Sequence, residues 1–87
     1  MTNRLERILR RPQVEDASGH RRSTLYRHIS EGLWTRPVKL GPRSVGWPSS
    51  EVGAINAARV AGWTDDEIRA LVTQLHRARA AAFEERV

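Results

Sequence analysis

The 87-residue sequence contains no cysteine. This absence excludes disulfide bonds and thiolate metal ligands, and it fits a cytoplasmic protein. No apolar run approaches the roughly 18 residues of a membrane span, and residues 1–7 lack the apolar segment of a secretory signal. His20, His28 and His76 do not have metal-ligand spacing, and no nucleophile lies in a recognisable catalytic motif. The sequence therefore predicts a protein that is not an enzyme, needs no cofactor or metal, and does not enter a membrane.

Acidic residues are sparse in the first half of the chain, where basic residues are concentrated. Residues 1–47 contain ten Lys or Arg against four Asp or Glu, a net charge of +6, whereas residues 48–87 carry −1. Clustered cations favour a polyanionic partner, because phosphates release counterions when Lys and Arg neutralise them. Charge alone leaves open a basic surface with no such partner. The chain has room for a single domain.

Two short helices separated by a glycine-containing turn are predicted in the basic half. Pro12 suits the first turn of a helix, and Gly19 suits the left-handed position that ends it. In the following segment, Leu25 and Ile29 fall on one side of a second helix, which Gly32 ends. This spacing is typical of a helix-turn-helix, whose second helix reads DNA.

After Gly32 the pattern changes to two short β-prone runs. Residues 37–40 and 44–47 flank Gly41-Pro42-Arg43, which predicts a hairpin with a three-residue connection. A hairpin that follows a helix-turn-helix is a wing. The fold class predicted from the sequence is therefore α+β, mostly helical: a winged helix-turn-helix with a short β-hairpin wing and a C-terminal amphipathic helix.

Two further helices are predicted after the hairpin. Ser49 or Ser50 can cap a helix over about residues 51–61. Thr64 and Glu67 have the spacing of a capping box, which begins a helix over residues 65–83. A domain this small needs large side chains to close its core, so the tryptophans are expected there or at hinges. They are Trp34, Trp47 and Trp63.

The C-terminal helix carries an apolar stripe with two alternative uses. It packs on the winged domain, whose small core needs apolar surface. Alternatively, it pairs with a second protomer and forms a homodimer that reads two half-sites. The sequence leaves both alternatives open. The residues of the stripe are Ile68, Leu71, Val72 and Leu75.

The polar side of the second helix carries groups that can read base edges, although a solvated helix face is the alternative. Arginine can bind guanine in bidentate fashion, and hydroxyl groups can bond bases or phosphates. In the hairpin, Lys39 and the tip residue Arg43 are expected to reach phosphate or a minor groove, although charges also protect edge strands from pairing. The predicted DNA-binding residues are Arg22, Ser23, Thr24, Tyr26, Arg27, Lys39 and Arg43.

Several stretches within residues 10–61 resemble the AlpA family of small phage and prophage regulators, which are related to excisionases and to MerR-type winged helices. They are residues 11–14, residues 19–27, and residues 36–47 with Ser50-Glu51-Val52. The sequence departs from the family at Arg21, where the family usually has a capping serine, and at His28 and Gly53. The resemblance implies binding to DNA, used to control transcription of integrase genes or to direct excision of an integrated element. It makes an integrase a candidate partner.

These observations divide the chain into three parts. Residues 1–10 are expected to form a basic arm or a short helix, residues 11–61 the winged helix-turn-helix domain, and residues 62–87 the C-terminal amphipathic helix. The predicted function is sequence-specific binding of double-stranded DNA by a transcriptional regulator or excision factor, located in the cytoplasm at the nucleoid. The alternative from another class is a protein-interaction module, an adaptor or antitoxin-like protein whose basic face meets an acidic partner. A nonspecific architectural DNA binder is a third option.

Overall fold

The computed structural model describes residues 5–86, with side chains described for residues 5–82. Over these residues the chain forms four helices and a three-stranded antiparallel sheet. The predicted α+β winged helix-turn-helix class is confirmed. In chain order the elements are strand β1 (Ile8–Leu9), helices α1 (Arg11–Ser18) and α2 (Arg22–Ser30), strands β2 (Val38–Gly41) and β3 (Ser44–Pro48), and helices α3 (Ser49–Val60) and α4 (Asp65–Arg86).

Helices α1 and α2 form the predicted pair. Gly19 ends α1 with φ 76°, and its N–H donates to the carbonyl of Glu15 at 2.9 Å. Glycine adopts this left-handed conformation without the steric cost of a Cβ. Val14 of α1 and Leu25 of α2 are fully buried, so each helix is fixed to the core by one face.

The wing consists of β2 and β3, joined by the turn residues Pro42 and Arg43. Val38 lies opposite Gly46, and Gly41 lies opposite Ser44. Because Gly41 is itself paired, the connection has two residues, and the predicted three-residue connection is wrong. An irregularity in the register between Lys39 and Gly41 accompanies this tight turn.

Strand β1 is the feature of the sheet that differs most from the sequence prediction. Its residues pair with β3, Ile8 opposite Pro48 and Leu9 opposite Trp47, which makes β3 the central strand. The expected basic arm or short helix is therefore wrong at Ile8–Leu9, and residues 1–4 of that segment lie outside the described residues. A side chain at Gly46 would collide with Ile8, so glycine at this position lets β1 close on β3.

Helix α3 begins earlier than predicted, directly after Pro48. Ser49 and Ser50 lie inside its first turn and do not cap it. The cap comes from Glu6, whose carboxylate accepts hydrogen bonds from the backbone N–H of Ser50 at 3.0 Å and from both serine hydroxyls at 3.0 and 2.6 Å. Burial raises the pKa of Glu6, but the hydrogen bonds from Ser50, Ser49 and the Arg7 backbone outweigh it, so the pKa lies below its ordinary value.

Helix α4 begins with the predicted capping box. The N–H of Thr64 donates to Glu67 Oε1 at 2.8 Å, and the N–H of Glu67 donates to Thr64 Oγ1 at 3.2 Å. Ile68 and Val72 are buried in the core of their own chain. The packing alternative for the apolar stripe is confirmed for these two residues, whereas the homodimer stays a prediction. Leu71 and Leu75, also in the stripe, are half-buried against the same core.

The core lies between the wing, α2 and the two C-terminal helices. Trp34 and Trp47 are buried in the core, whereas Trp63 is 43% exposed and lies in the connection between α3 and α4, which corresponds to the hinge alternative of the prediction. The indole N–H of Trp47 donates to the carbonyl of Thr35 at 2.9 Å. The buried apolar residues are Val14, Leu25, Leu33, Trp34, Trp47, Val52, Ile55, Ala58, Ile68 and Val72.

Candidate nucleic-acid interface

Helix α2 presents a polar face to solvent and an apolar face to the core. Leu25 is fully buried and Ile29 is half-buried. Because a helix turns about 100° per residue, Ser23 and Arg27 fall on the opposite side, whereas His28 lies at the edge of the apolar face and is half-buried. Four of the five residues predicted on this helix are exposed, and Thr24 is half-buried. The exposed ones are Arg22, Ser23, Tyr26 and Arg27.

The beginning of α2 has no capping side chain. Arg21 occupies the N-cap position with extended backbone, φ −78° and ψ 165°, and makes no side-chain cap hydrogen bond. Its guanidinium can only donate, so it cannot satisfy the N–H groups of the first turn. The start of α2 therefore combines free backbone donors with the charges of Arg21 and Arg22.

An aromatic contact connects α2 to the wing. The rings of Tyr26 and Trp47 are 6.5 Å apart between centroids and inclined at 67°, an edge-to-face arrangement. Trp47 is immobilised in the core by its hydrogen bond to Thr35. Through this contact, helix α2 packs against the sheet that carries the wing.

The wing places both predicted cations in solvent. Lys39 and Arg43 are exposed, with Lys39 opposite Val45 in the ladder and Arg43 in the turn. Neither has an ionic partner among the residues whose side chains are described. The structure therefore gives the wing an uncompensated positive charge.

Sequence reasoning missed Arg10 and Arg11 as members of this surface. They line one cleft together with Pro12, Val45 and the wing-tip residue Arg43. Arg10 Nε donates to the carbonyl of Val45 at 3.0 Å, which ties the beginning of α1 to the wing. The run of basic residues was visible in the sequence, but nothing local indicated that it would lie beside a turn more than 30 residues later.

Ion pairing divides the basic residues into two groups. The acids of the second half neutralise their neighbours: Asp65 pairs with Arg59 at 3.0 Å and Asp66 pairs with Arg69 at 3.1 Å. In the described part of the basic half, Glu15 with Arg11 is the one ion pair. The charge excess noted in the sequence is therefore left uncompensated by ion pairs in the described part of the basic half.

Two histidines lie behind the polar face of α2. The rings of His20 and His28 are 4.5 Å apart, and His20 also lies edge-on to Trp34 at 6.0 Å. Burial lowers the pKa of His20, and the charges of His28 and two nearby arginines lower it further. Burial also lowers the pKa of His28, together with Arg59 and Arg27. Both rings therefore favour the neutral form, and the positive charge of the surface comes from its arginines and lysine.

In the part of the chain that the structure describes, no group of three or more His, Cys, Asp or Glu side chains is arranged to hold a metal ion. No helix there has the length and apolar composition needed to cross a membrane.

The part of the chain that contains α1, α2 and the wing is similar to known proteins. Residues 7–54 match the family model described as "Prophage CP4-57 regulatory protein (AlpA)". A protein of Enterobacteria phage P4, described as "Uncharacterized protein ORF88", is 46% identical over 57 residues, which cover 66% of this chain and 65% of the relative. This chain thus spans slightly less than two thirds of that relative's length. No solved structure is significantly similar. The matched segment contains α1, α2 and the wing, whereas α4 lies beyond it.

Proposed function

Because the chain belongs to the AlpA family of prophage regulatory proteins, we propose that it binds duplex DNA in a sequence-specific manner. We further propose that it acts as a transcriptional regulator or as an excision-directing factor of a mobile element, at the nucleoid. The observation that carries the proposal is the exposed face of α2, whose arginines have no ionic partner among the described residues. In the excision role, an integrase is the protein partner.

The chemistry of α2 suits the major groove. A recognition helix contacts base edges mainly from its N-terminal residues, and Arg22 and Ser23 lie there. Arg27 follows Ser23 by about one turn on the same exposed side, whereas Arg22 lies on the flank of that side. A guanidinium can donate two parallel hydrogen bonds to guanine, and each such pair discriminates by about 1–3 kcal/mol. Thr24 and Tyr26 flank this face, where their hydroxyls can contact a base or a phosphate.

The wing suits a sequence-independent contact. Phosphate contacts fix the register and orientation of a protein on the duplex, whereas base contacts specify sequence. Lys39 and Arg43 project from the wing, which Tyr26 and Trp47 hold beside α2. In the proposed complex the wing contacts backbone or minor groove while α2 lies in the adjacent major groove.

Selection from a random duplex pool tests this function. We expect an enriched sequence, bound at least about a thousandfold more tightly than a scrambled duplex at the same salt concentration. A pool that shows no enrichment, with equal affinity for all duplexes, would leave only nonspecific architectural binding. Polyglutamate that competes as well as the enriched duplex would instead support an acidic protein partner.

The position of the selected sequence separates the two biological roles. A site that overlaps a promoter of the mobile element supports transcriptional control, and a reporter fused to that promoter should respond to the protein. A site beside the ends of the integrated element supports excision, and a recombination assay with the integrase should then depend on this chain.

A further inference from the structure

Three arginines from two distant segments meet in one cleft. Arg10 and Arg11 lie at the beginning of α1, and Arg43 lies in the turn of the wing. With Pro12 and Val45 they line a cleft of about 190 Å³. Arg10 and Arg43 are exposed and Arg11 is half-buried, so the cleft opens to solvent and a ligand can reach it.

The protein holds two of these guanidinium groups by their inner nitrogen. Arg10 Nε donates to the carbonyl of Val45 at 3.0 Å, and Arg11 Nε donates to Glu15 Oε2 at 2.9 Å. No described acceptor engages the terminal amino groups of either side chain. An arginine has five N–H donors in a planar fork, so each retains its outer donors in a fixed orientation. This preorganisation lowers the entropic cost of binding an anion.

The charge of the cleft is not balanced within the protein. One carboxylate, that of Glu15, pairs with one of the three guanidinium groups. The other two cations have no ionic partner among the described residues and repel each other across the cleft. An anion between them removes this repulsion, and a phosphodiester suits the site because its two free oxygens match the bidentate geometry of arginine.

We propose that Arg10, Arg11 and Arg43 form a clamp for one stretch of the DNA phosphate backbone, which lies between the beginning of α1 and the wing. This arginine clamp rests on the proposed DNA-binding function, and it adds Arg10 and Arg11 to the residues proposed to contact DNA. By holding the backbone at a fixed place relative to the wing, the clamp sets the depth and register at which α2 enters the groove. It binds phosphate in any sequence.

Salt titration of nonspecific binding tests the clamp independently of sequence recognition. The full chain and its Arg11→Gln and Arg43→Gln variants are titrated with a random duplex, with Arg77→Gln as the matched control. Arg77 is an exposed arginine on α4, so this control removes the same charge outside the cleft. We expect each clamp variant to lower the log–log salt slope by about 0.9 per lost phosphate contact and to bind about tenfold more weakly. The control should keep the parental slope.

Two further variants separate the contact from folding. Arg11→Lys and Arg43→Lys keep the charge and should recover part of the affinity but not all, since lysine cannot make the bidentate contact. Circular dichroism melts verify that each variant is folded. Clamp variants that are folded and keep the parental slope would overturn the proposal.

Single methylphosphonate substitutions in the selected duplex locate the contact. A methylphosphonate removes one backbone charge, and the parent protein should lose affinity at the clamped phosphates. Arg11→Gln and Arg43→Gln should both become insensitive at the same or an adjacent phosphate. Insensitivity at phosphates of separate grooves would overturn the clamp. If selection yields no specific site, the proposed function fails, yet the salt slope on random duplex still decides the clamp.

Discussion

Tyr26 on helix α2 meets Trp47 in the wing edge-to-face, with ring centroids 6.5 Å apart. Trp47 is completely buried, while Tyr26 remains 37% exposed. The contact therefore runs from the core to the surface that is proposed to face DNA. We therefore expect two roles for the tyrosine: its hydroxyl contacts DNA in the proposed complex, and its ring orients α2 against the wing.

Substitution of Tyr26 separates these roles. We expect Tyr26→Phe to keep DNA affinity within about threefold and Tyr26→Ala to lose about tenfold, since an aromatic pair contributes about 0.5–1.5 kcal/mol beyond burial. Fluorescence anisotropy with the selected duplex measures both. Equal losses in the two variants would show that the hydroxyl dominates and that the ring contact does not position the helix.

Removal of the arginines on the exposed face of α2 should weaken specific binding. We expect Arg22→Ala and Arg27→Ala each to cost about 1–3 kcal/mol with the selected duplex and to relax the preference at one base position. Repeating the selection with each variant identifies that position. Arg77→Ala is the control and should retain the parental preference. Folded variants that bind as tightly and as selectively as the parent would contradict the assignment of α2.

The ion pair of Glu51 and Arg79 should matter for stability. Arg79 donates from Nε and Nη2 to the two carboxylate oxygens at 2.8 and 2.7 Å, and it also donates to the carbonyl of Arg36 at 2.7 Å. The Glu51 side chain is 5% exposed. Arg79→Met leaves this carboxylate buried without a cation, and we expect the free energy of unfolding to fall by about 3 kcal/mol.

Urea denaturation of a double-mutant cycle checks this expectation. Glu51→Gln combined with Arg79→Met should cost less than the two single changes added together, because the double variant contains no unpaired charge. Arg77→Met on the exposed side of α4 should change stability by at most about 0.5 kcal/mol. Strict additivity in the cycle would contradict direct coupling of the two side chains.

Stability should also rise with pH across the range in which histidines titrate. His20, His28 and His76 all have pKa values lowered by burial below the ordinary 6.5. The unfolded chain therefore binds protons more readily than the folded one. We expect full stability above about pH 6.5 and a progressive loss as the pH falls through the lowered pKa values.

Thermal melts between pH 5 and pH 8 measure this dependence. The pKa of His28 is lowered by burial and by the charges of Arg59 and Arg27, whereas Glu31 and Asp65 raise it. We expect His28→Gln and His20→Gln each to flatten the dependence of stability on pH, because each removes one of the titrating rings. Glu6 affects stability in a separate, more acidic pH range, because its pKa is held below the ordinary 4.5. Its contribution to the stability of the fold is lost only as the pH falls through that range. A profile that is flat in the parent, or equally steep in both variants, would contradict the role of these rings.

The sequence by itself determined the local elements of this protein. Gly19 marks the end of α1 because only a left-handed residue closes that helix at low cost, and the Thr64–Glu67 box marks the beginning of α4 through two hydrogen bonds three residues apart. The spacing of Leu25 and Ile29 likewise defines which side of α2 is polar. The exposed positions of Arg22, Arg27 and Arg43 follow from such short-range patterns, and the structure agrees with them.

The tertiary structure alone decided which distant segments meet. Strand β1 has two residues, too few to show a period, and it exists because Ile8 and Leu9 find hydrogen-bonding partners on β3. Glu6 caps a helix more than 40 residues away, and the arginine clamp joins the beginning of α1 to the wing. The beginnings, ends and polar sides of helices can be predicted from neighbouring residues, because backbone geometry relates only positions a few residues apart. Contacts between remote segments depend instead on how the whole chain closes around its core.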